Sequence, residues 1–205
     1  MLVATEQELH KVGPARFRMN ADAFARYLIG AVIVRRVDGL RLRARIVETE
    51  AYLGPADLAS HASKGRTRRT EVMFGPAGRA YVYLIYGMHD MFNVVCGRTG
   101  KAHAVLVRAA QPLDGWLADL SGPGRLARAL RITRSDNALD LSGDEICFFR
   151  DPKVRPAIAT TPRIGIDYAG EWRERPLRFV ESTPPSSTRP RDRARTRMAS
   201  PASMR

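Results

Sequence analysis

The sequence predicts a mixed α/β (α+β) fold in a single domain, and three observations carry that reading. Strand-length runs, apolar or alternating, recur between residues 31 and 53 and again between 80 and 110, with a turn, a short helix and a polar basic loop between the two groups. A few segments, ADAFARYL (21–28) and GRLARALRI (124–132) among them, carry helical spacing instead. The chain has 205 residues, 44% hydrophobic and 27% charged, enough for one domain with a real core. No internal repeat appears.

In order along the chain, residues 1–19 lack periodicity and are expected to form an N-terminal arm. The domain proper spans 20–182. Asn20 is placed to cap ADAFARYL, with Phe24, Tyr27 and Leu28 on one face and Gly30 as the stop. AVIVRR (31–36) reads as a strand, and Asp38-Gly39 as its hairpin turn. The return strand alternates, with Leu40, Leu42, Ala44 and Ile46 on one face and Arg41, Arg43 and Arg45 on the other. Extending that register puts Glu48 and Glu50 on the apolar face. The alternative is a bulge or strand end at Val47, with both acids solvated. Gly54-Pro55 marks a turn, and a short helix is expected over ADLASHA (56–62). AYVYLIY (80–86), FNVVCG (92–97) and HAVLVRAA (103–110) read as three further strands. LDGWLADL (113–120) and GRLARALRI read as helical segments, and EICFFRD (145–151) and PLRFVES (176–182) as late strands. From Thr183 the chain is Pro, Ser, Thr and Arg, and a disordered tail is expected over 183–205.

Charge narrows the partner. Lys and Arg number 34 against 21 Asp and Glu, a formal +13, which favours a polyanion. Six arginines and one acid lie in the tail, so most of the excess belongs to the body. Cys96 and Cys147 form neither a C-x-x-C nor a metal-ligand pattern, which suits a reducing compartment without structural zinc. No apolar run reaches membrane length and no signal pattern opens the chain. The expectation is a cytoplasmic protein, nucleoid-associated when on DNA, with no membrane partner.

Chemistry concentrates between Ile46 and Asn93. Glu50 and Tyr52 lie two apart, so an extended segment sends both side chains the same way. His61 follows across a turn. A carboxylate can deprotonate water and offset positive charge on a sugar, while tyrosine and histidine faces can hold a planar cationic base. Lys64, Arg66, Arg68 and Arg69 make a cationic loop suited to phosphate. Tyr86 and Met88 flank Gly87 at a hairpin tip; by position alone Tyr86 is an ordinary turn residue. Arg108 shares a face with Leu106. Gly122 and Gly124 open a basic helix whose free N–H groups can receive phosphate, although a plain helix start is the commoner case.

The runs IVETEAYLGPADLASHA (46–62) and MFGPAGRAYVYLIYGM (73–88), with Asn93, resemble the alkyladenine (3-methyladenine) DNA glycosylase family. LVRAAQPLDG (106–115), SGPGRLARAL (121–130), RIGIDYAGEW (163–172) and PLRF (176–179) extend the likeness over about residues 20–180. The resemblance implies a compact α/β domain around a curved, mainly antiparallel sheet with flanking helices and a protruding, DNA-inserting hairpin. It implies a monofunctional N-glycosylase acting as a monomer on double-stranded DNA containing alkylated bases, without metal or organic cofactor. Glu50 matches the general base, and Arg108 a residue near the water and target phosphate. Tyr52, His61 and Tyr83 match the walls against the flipped base, and Asn93 the side chain that screens purines. Tyr86, with Met88 beside it, matches the wedge inserted in the duplex. The loop GRTRRT departs from the family, which commonly has proline at the position of Arg68 and often asparagine at that of Thr70. A non-catalytic DNA-binding module is disfavoured by Glu50, since an acid facing DNA repels phosphate. The family fold also resembles the C-terminal domain of methionyl-tRNA formyltransferase, an RNA-directed alternative.

Overall fold

The structure, a computed structural model, describes residues 9–182. The expected Arg-rich tail and most of the arm's first half lie outside the described residues. Within them stands one open nine-stranded antiparallel sheet with helices on one face. The strands are β1 (His10–Lys11), β2 (Val32–Val37), β3 (Leu40–Leu53), β4 (Ala80–Ile85), β5 (His89–Cys96), β6 (His103–Pro112), β7 (Ile146–Arg150), β8 (Ile158–Thr161) and β9 (Arg178–Glu181). Their order is β1-β7-β2-β3-β6-β5-β4, with β9 taking over the β2 side of β3 beyond Ile46 and β8 pairing β9. The long β3 is therefore the spine, bonded to β6 on one side and to β2 and then β9 on the other.

Three short α-helices, α1 (Pro14–Phe17), α2 (Ala21–Leu28) and α3 (Pro123–Ala129), complete the architecture. In α2 the residues Ala21, Phe24, Ala25 and Leu28 are buried at helical spacing, which turns one stripe onto the sheet. Burying side chains such as Phe24 or Leu28 contributes roughly 1.5–3 kcal/mol each. Asn20 occupies the cap position but its side chain makes no capping hydrogen bond. Thr49 of β3 anchors the helix by donating to the Ala25 carbonyl at 3.0 Å. The Asp38-Gly39 turn forms as expected, with φ of 49° and 72°.

Residues 9–19, expected to form an arm, contribute Val12 and Phe17 to the core. The Phe17 ring meets Phe24 and Phe148 edge-on at 5.7 and 6.5 Å, and Gly78 lies against it so closely that a Cβ would come within 2.9 Å. Two expected helices do not form. Over 56–62 the chain takes tight turns before a 3-10 turn at His61–Lys64. The cause is Asp57, whose buried carboxylate accepts from the Leu53 and Ala59 N–H groups and so competes with helical bonding. LDGWLADL is also irregular, because Asp114 and Gly115 are both left-handed at φ 61° and 78°. Trp116 spends its indole N–H on the Arg43 carbonyl, 2.8 Å away.

The sheet's two faces do different work. Val82, Phe92, Val94, Val105, Val107 and Ala51 belong to the main core under the helices. Their alternating neighbours Tyr81, Tyr83, Asn93, Leu106 and Tyr52 line a cavity on the opposite face. In β3 this requires a change of parity. Ile46 pairs Ala110, Glu48 pairs Ala109 and Thr49 pairs Val107, so Val47 is an extra residue in β3 and Arg108 an extra residue in β6. Neither sequence reading of the acids survives intact. The strand does bulge at Val47, yet Glu50 is fully buried, on the cavity side of the sheet rather than in the apolar core.

Candidate active site

Strand pairing draws the site together in one row. Glu50 of β3 lies beside Leu106 of β6, Leu106 beside Asn93 of β5, and Asn93 beside Tyr81 of β4. Three interstrand steps of about 4.8 Å place that row across roughly 14 Å of sheet. Above it opens a cavity of about 340 Å³.

Glu50 lies beneath the cavity with no exposed surface. Tyr52 donates its hydroxyl to Oε2 at 2.9 Å, the Ile164 N–H donates to Oε1 at 2.9 Å, and Arg108 Nη1 stands 3.3 Å from Oε1. Burial pushes the Glu50 carboxyl above its ordinary range, and the Arg108 charge and the two hydrogen bonds only partly oppose it. A carboxylate offers about four acceptor directions, of which these hydrogen bonds from Tyr52 and Ile164 take two.

Glu48, the other acid, is not equivalent. Arg108 Nε and Arg178 Nε each donate to Glu48 Oε1 at 2.7 Å. Burial acts to raise this carboxyl too, but the hydrogen bonds from Arg178 and Arg108 outweigh it and hold it below the ordinary range. Glu48 thus fixes Arg108, and Arg108 reaches across to Glu50.

The cavity wall is aromatic. His61 and Tyr83 meet edge-on at 4.5 Å, Tyr81 and Tyr83 lie 5.3 Å apart, and His61 Nδ1 is 2.8 Å from the Tyr81 hydroxyl. Burial, reinforced by the nearby Arg69 charge, lowers the His61 pKa to about 4, so the ring is neutral at physiological pH. Asn93 donates both amide hydrogens, to the Tyr81 and Met91 carbonyls at 3.1 and 3.3 Å, which fixes its orientation.

At the cavity mouth stands the β4–β5 hairpin. Tyr86 is 82% exposed and Met88 71%, and Tyr86 holds a left-handed φ of 50°, uncommon and strained for an aromatic residue. Asp90 of β5 pairs with Arg134, whose Nε stands 3.2 Å away. In the cationic loop Lys64 and Arg68 are exposed, Arg66 pairs Glu71 at 3.4 Å, and Arg69 lies 5.0 Å over the Tyr83 ring. Thr70 is buried and donates to the Gly65 carbonyl at 2.9 Å, closing the loop without a proline or asparagine. Gly122 caps α3. Gly124 packs against the His89 ring, where a Cβ would meet it at 3.0 Å, a packing reason for that glycine.

Sequence reading did not pick out several contributors. Asp57 and Arg163 form a fully buried bidentate pair at 2.6 and 2.8 Å, and Arg163 also donates to the Ala51 carbonyl. The Arg163 guanidinium lies 4.8 Å over the Tyr52 ring, so this pair braces the wall beside Glu50. The Ile164 N–H comes from the next residue. Nothing local marks Asp57 and Arg163 as partners 106 positions apart; only the pattern RIGIDYAGEW flagged the segment at all.

A buried carboxylate under an aromatic pocket, with cations at the rim and an exposed aromatic at a hairpin tip, is the kind of site that suits an enzyme acting on a planar group of a polyanion. Comparison with known proteins agrees. A family profile described as methylpurine-DNA glycosylase matches residues 15–185. The chain belongs to this family, DNA glycosylases that hydrolyse N-glycosyl bonds. Among its relatives, a protein of Anaeromyxobacter sp. (strain Fw109-5) is 55% identical over 157 residues, 76% of this chain and 81% of its own. One from Myxococcus xanthus is 53% identical over 159 residues, with the same coverage of each chain. One from Methanocella arvoryzae is 44% identical over 174 residues, 78% of this chain and 87% of its own. All three are named, provisionally, as 3-methyladenine DNA glycosylases.

Proposed function

We propose that this chain is a monofunctional DNA glycosylase that flips alkylated purines of the 3-methyladenine type out of duplex DNA and hydrolyses the N-glycosidic bond with a water activated by Glu50. The observation that carries the reading is the Glu50 carboxylate, buried beneath the cavity yet oriented through both oxygens by Tyr52, Ile164 and Arg108. In the step, water attacks the anomeric carbon, Glu50 takes its proton, and the C–N bond pair leaves with the base. A base alkylated on a ring nitrogen is cationic, so that electron pair neutralises it and no proton donor is needed. A neutral His61 fits this, serving as wall rather than acid. The electron-rich faces of Tyr52, Tyr83 and His61 favour a cationic planar guest by roughly 0.5–2 kcal/mol per ring.

Tyr86 acts as the wedge that fills the gap left by extrusion, with Met88 beside it, and the loop cations take flanking phosphates. The fixed Asn93 amide screens purines by their exocyclic groups. A strand-cleaving lyase step needs an amine nucleophile, and no lysine is among the residues that line the cavity. The test is incubation with methylated duplex DNA. Free alkylated base should appear, the abasic strand should remain intact, and borohydride should trap no protein–DNA adduct. Absence of free base, or a trapped adduct, would sink the reading.

A further inference from the structure

A second cleft, of about 570 Å³, opens beside β1 and β7, at the edge of the sheet opposite the hairpin. Six interstrand steps separate the two edges, about 29 Å along the sheet. His10, Lys11, Arg16, Tyr27, Arg150 and Arg155 line it, a set with no acid. Arg16 and Arg150 flank the Tyr27 ring at 5.2 and 4.9 Å. Arg150 is held in place by the Tyr27, Ile29 and Val154 carbonyls, and Arg155 by those of Pro152 and Val154. Lys11 is matched by Asp144 at 2.9 Å, but Arg16, Arg150 and Arg155 are three guanidiniums that share one cleft with no ion-pair partner among the described residues. Burial weakens the hold of Arg150 on its proton; Tyr27 opposes this, and the charges of Arg155, Arg16 and Arg45 add to it.

We propose that this cleft is a second contact for DNA phosphodiesters, separate from the pocket, which holds duplex without reading damage. It rests on the preceding reading only in taking DNA as the substrate. A socket for a small free anion would aim unsatisfied buried donors inward, and none of the orphaned buried side-chain atoms belongs to this cleft. An open surface of exposed Arg16 and Arg155 around a rigid Arg150 suits a run of backbone phosphates instead.

The test is binding of the full chain to undamaged duplex across a salt series, so the outcome does not depend on whether the pocket excises anything. R16E/R155E should weaken binding and reduce the salt slope by roughly 0.9 for each phosphate lost. The control R79E/R131E makes the same change in net charge at arginines already facing Asp140 and Asp38. Equal losses in both pairs, or no change in the first, would overturn the proposal. R16Q/R155Q repeats the measurement should charge reversal disturb folding. In a parallel arm, inorganic phosphate at constant ionic strength should give no saturable thermal protection. Protection of the parent and not of R16Q/R155Q would mark a small-anion socket and refute the DNA assignment.

Discussion

Glu50 shows how a single residue can be costly to the fold and indispensable to the proposed chemistry. Its carboxyl is raised above the ordinary 4.5 by burial, so the proton is bound more tightly in the folded than in the unfolded chain. The stability this supplies is complete below the unfolded value and is lost as pH rises through the folded one. The ionised form of Glu50 is therefore a liability to the fold. E50Q should raise the melting temperature at pH 7, with the gain disappearing below about pH 4.5, while excision falls by roughly 10²–10⁴ and DNA binding persists. A lower melting temperature for E50Q at pH 7, or near-normal turnover, would contradict the assignment. Tyr86 carries a similar conflict in its backbone, where a left-handed φ costs an aromatic about 1–2 kcal/mol. Y86N, which tolerates that conformation, should fold at least as stably. Its single-turnover excision should drop most for well-paired lesions and less for mispaired ones, which open readily. Equal loss in both contexts would count against a wedge.

Among the elements, the segment 54–64 shows where local pattern stops being informative. Pro55 and the small residues after it carry a helical pattern, but the buried Asp57 takes the backbone donors and pairs with Arg163 from far along the chain. Strands were legible because alternation records burial directly. The hairpin at Asp38-Gly39 and the strands β4, β5 and β6 were therefore readable from sequence. The candidate site was legible mainly through the resemblance: Tyr52, His61, Tyr83 and Asn93 line one cavity and Glu50 is bonded to Tyr52 of that lining, whereas their bracing did not declare itself. D57A should cost about 3–5 kcal/mol in chemical denaturation, because it strands a buried guanidinium. It should also depress excision below the unfolding transition, since the Tyr52 ring loses its backing. A loss under 1 kcal/mol would show that Arg163 finds another partner.

At the scale of the molecule, charge was the most readable property and the least localised. A net +13 pointed to a polyanion without saying where it would lie. The structure distributes cations between the rim loop and the far cleft, while the arginines of 183–205 lie outside the described residues. Deleting 183–205 should flatten the salt dependence of duplex binding by roughly 0.9 per phosphate contact removed and leave single-turnover excision at saturating enzyme nearly intact. Abolished single-turnover excision would place that segment within the fold or the site.

The extra residues at Val47 and Arg108 have a consequence best put in terms of insertions and deletions. Each shifts by one which residues of its strand face the core, much as an added base shifts a reading frame. In β3 the core positions are Ala44 and Ile46 before the extra residue, then Thr49 and Ala51 after it. Deleting Val47 leaves every other side chain on its present face and merely straightens the strand, so that variant is expected to fold. Deleting Thr49, two positions on, drops Glu50 into an apolar slot beneath α2 and turns Ala51 toward the cavity. Comparison of soluble yield and melting for the two deletions checks this: neighbouring edits of equal size in the central strand should have opposite fates.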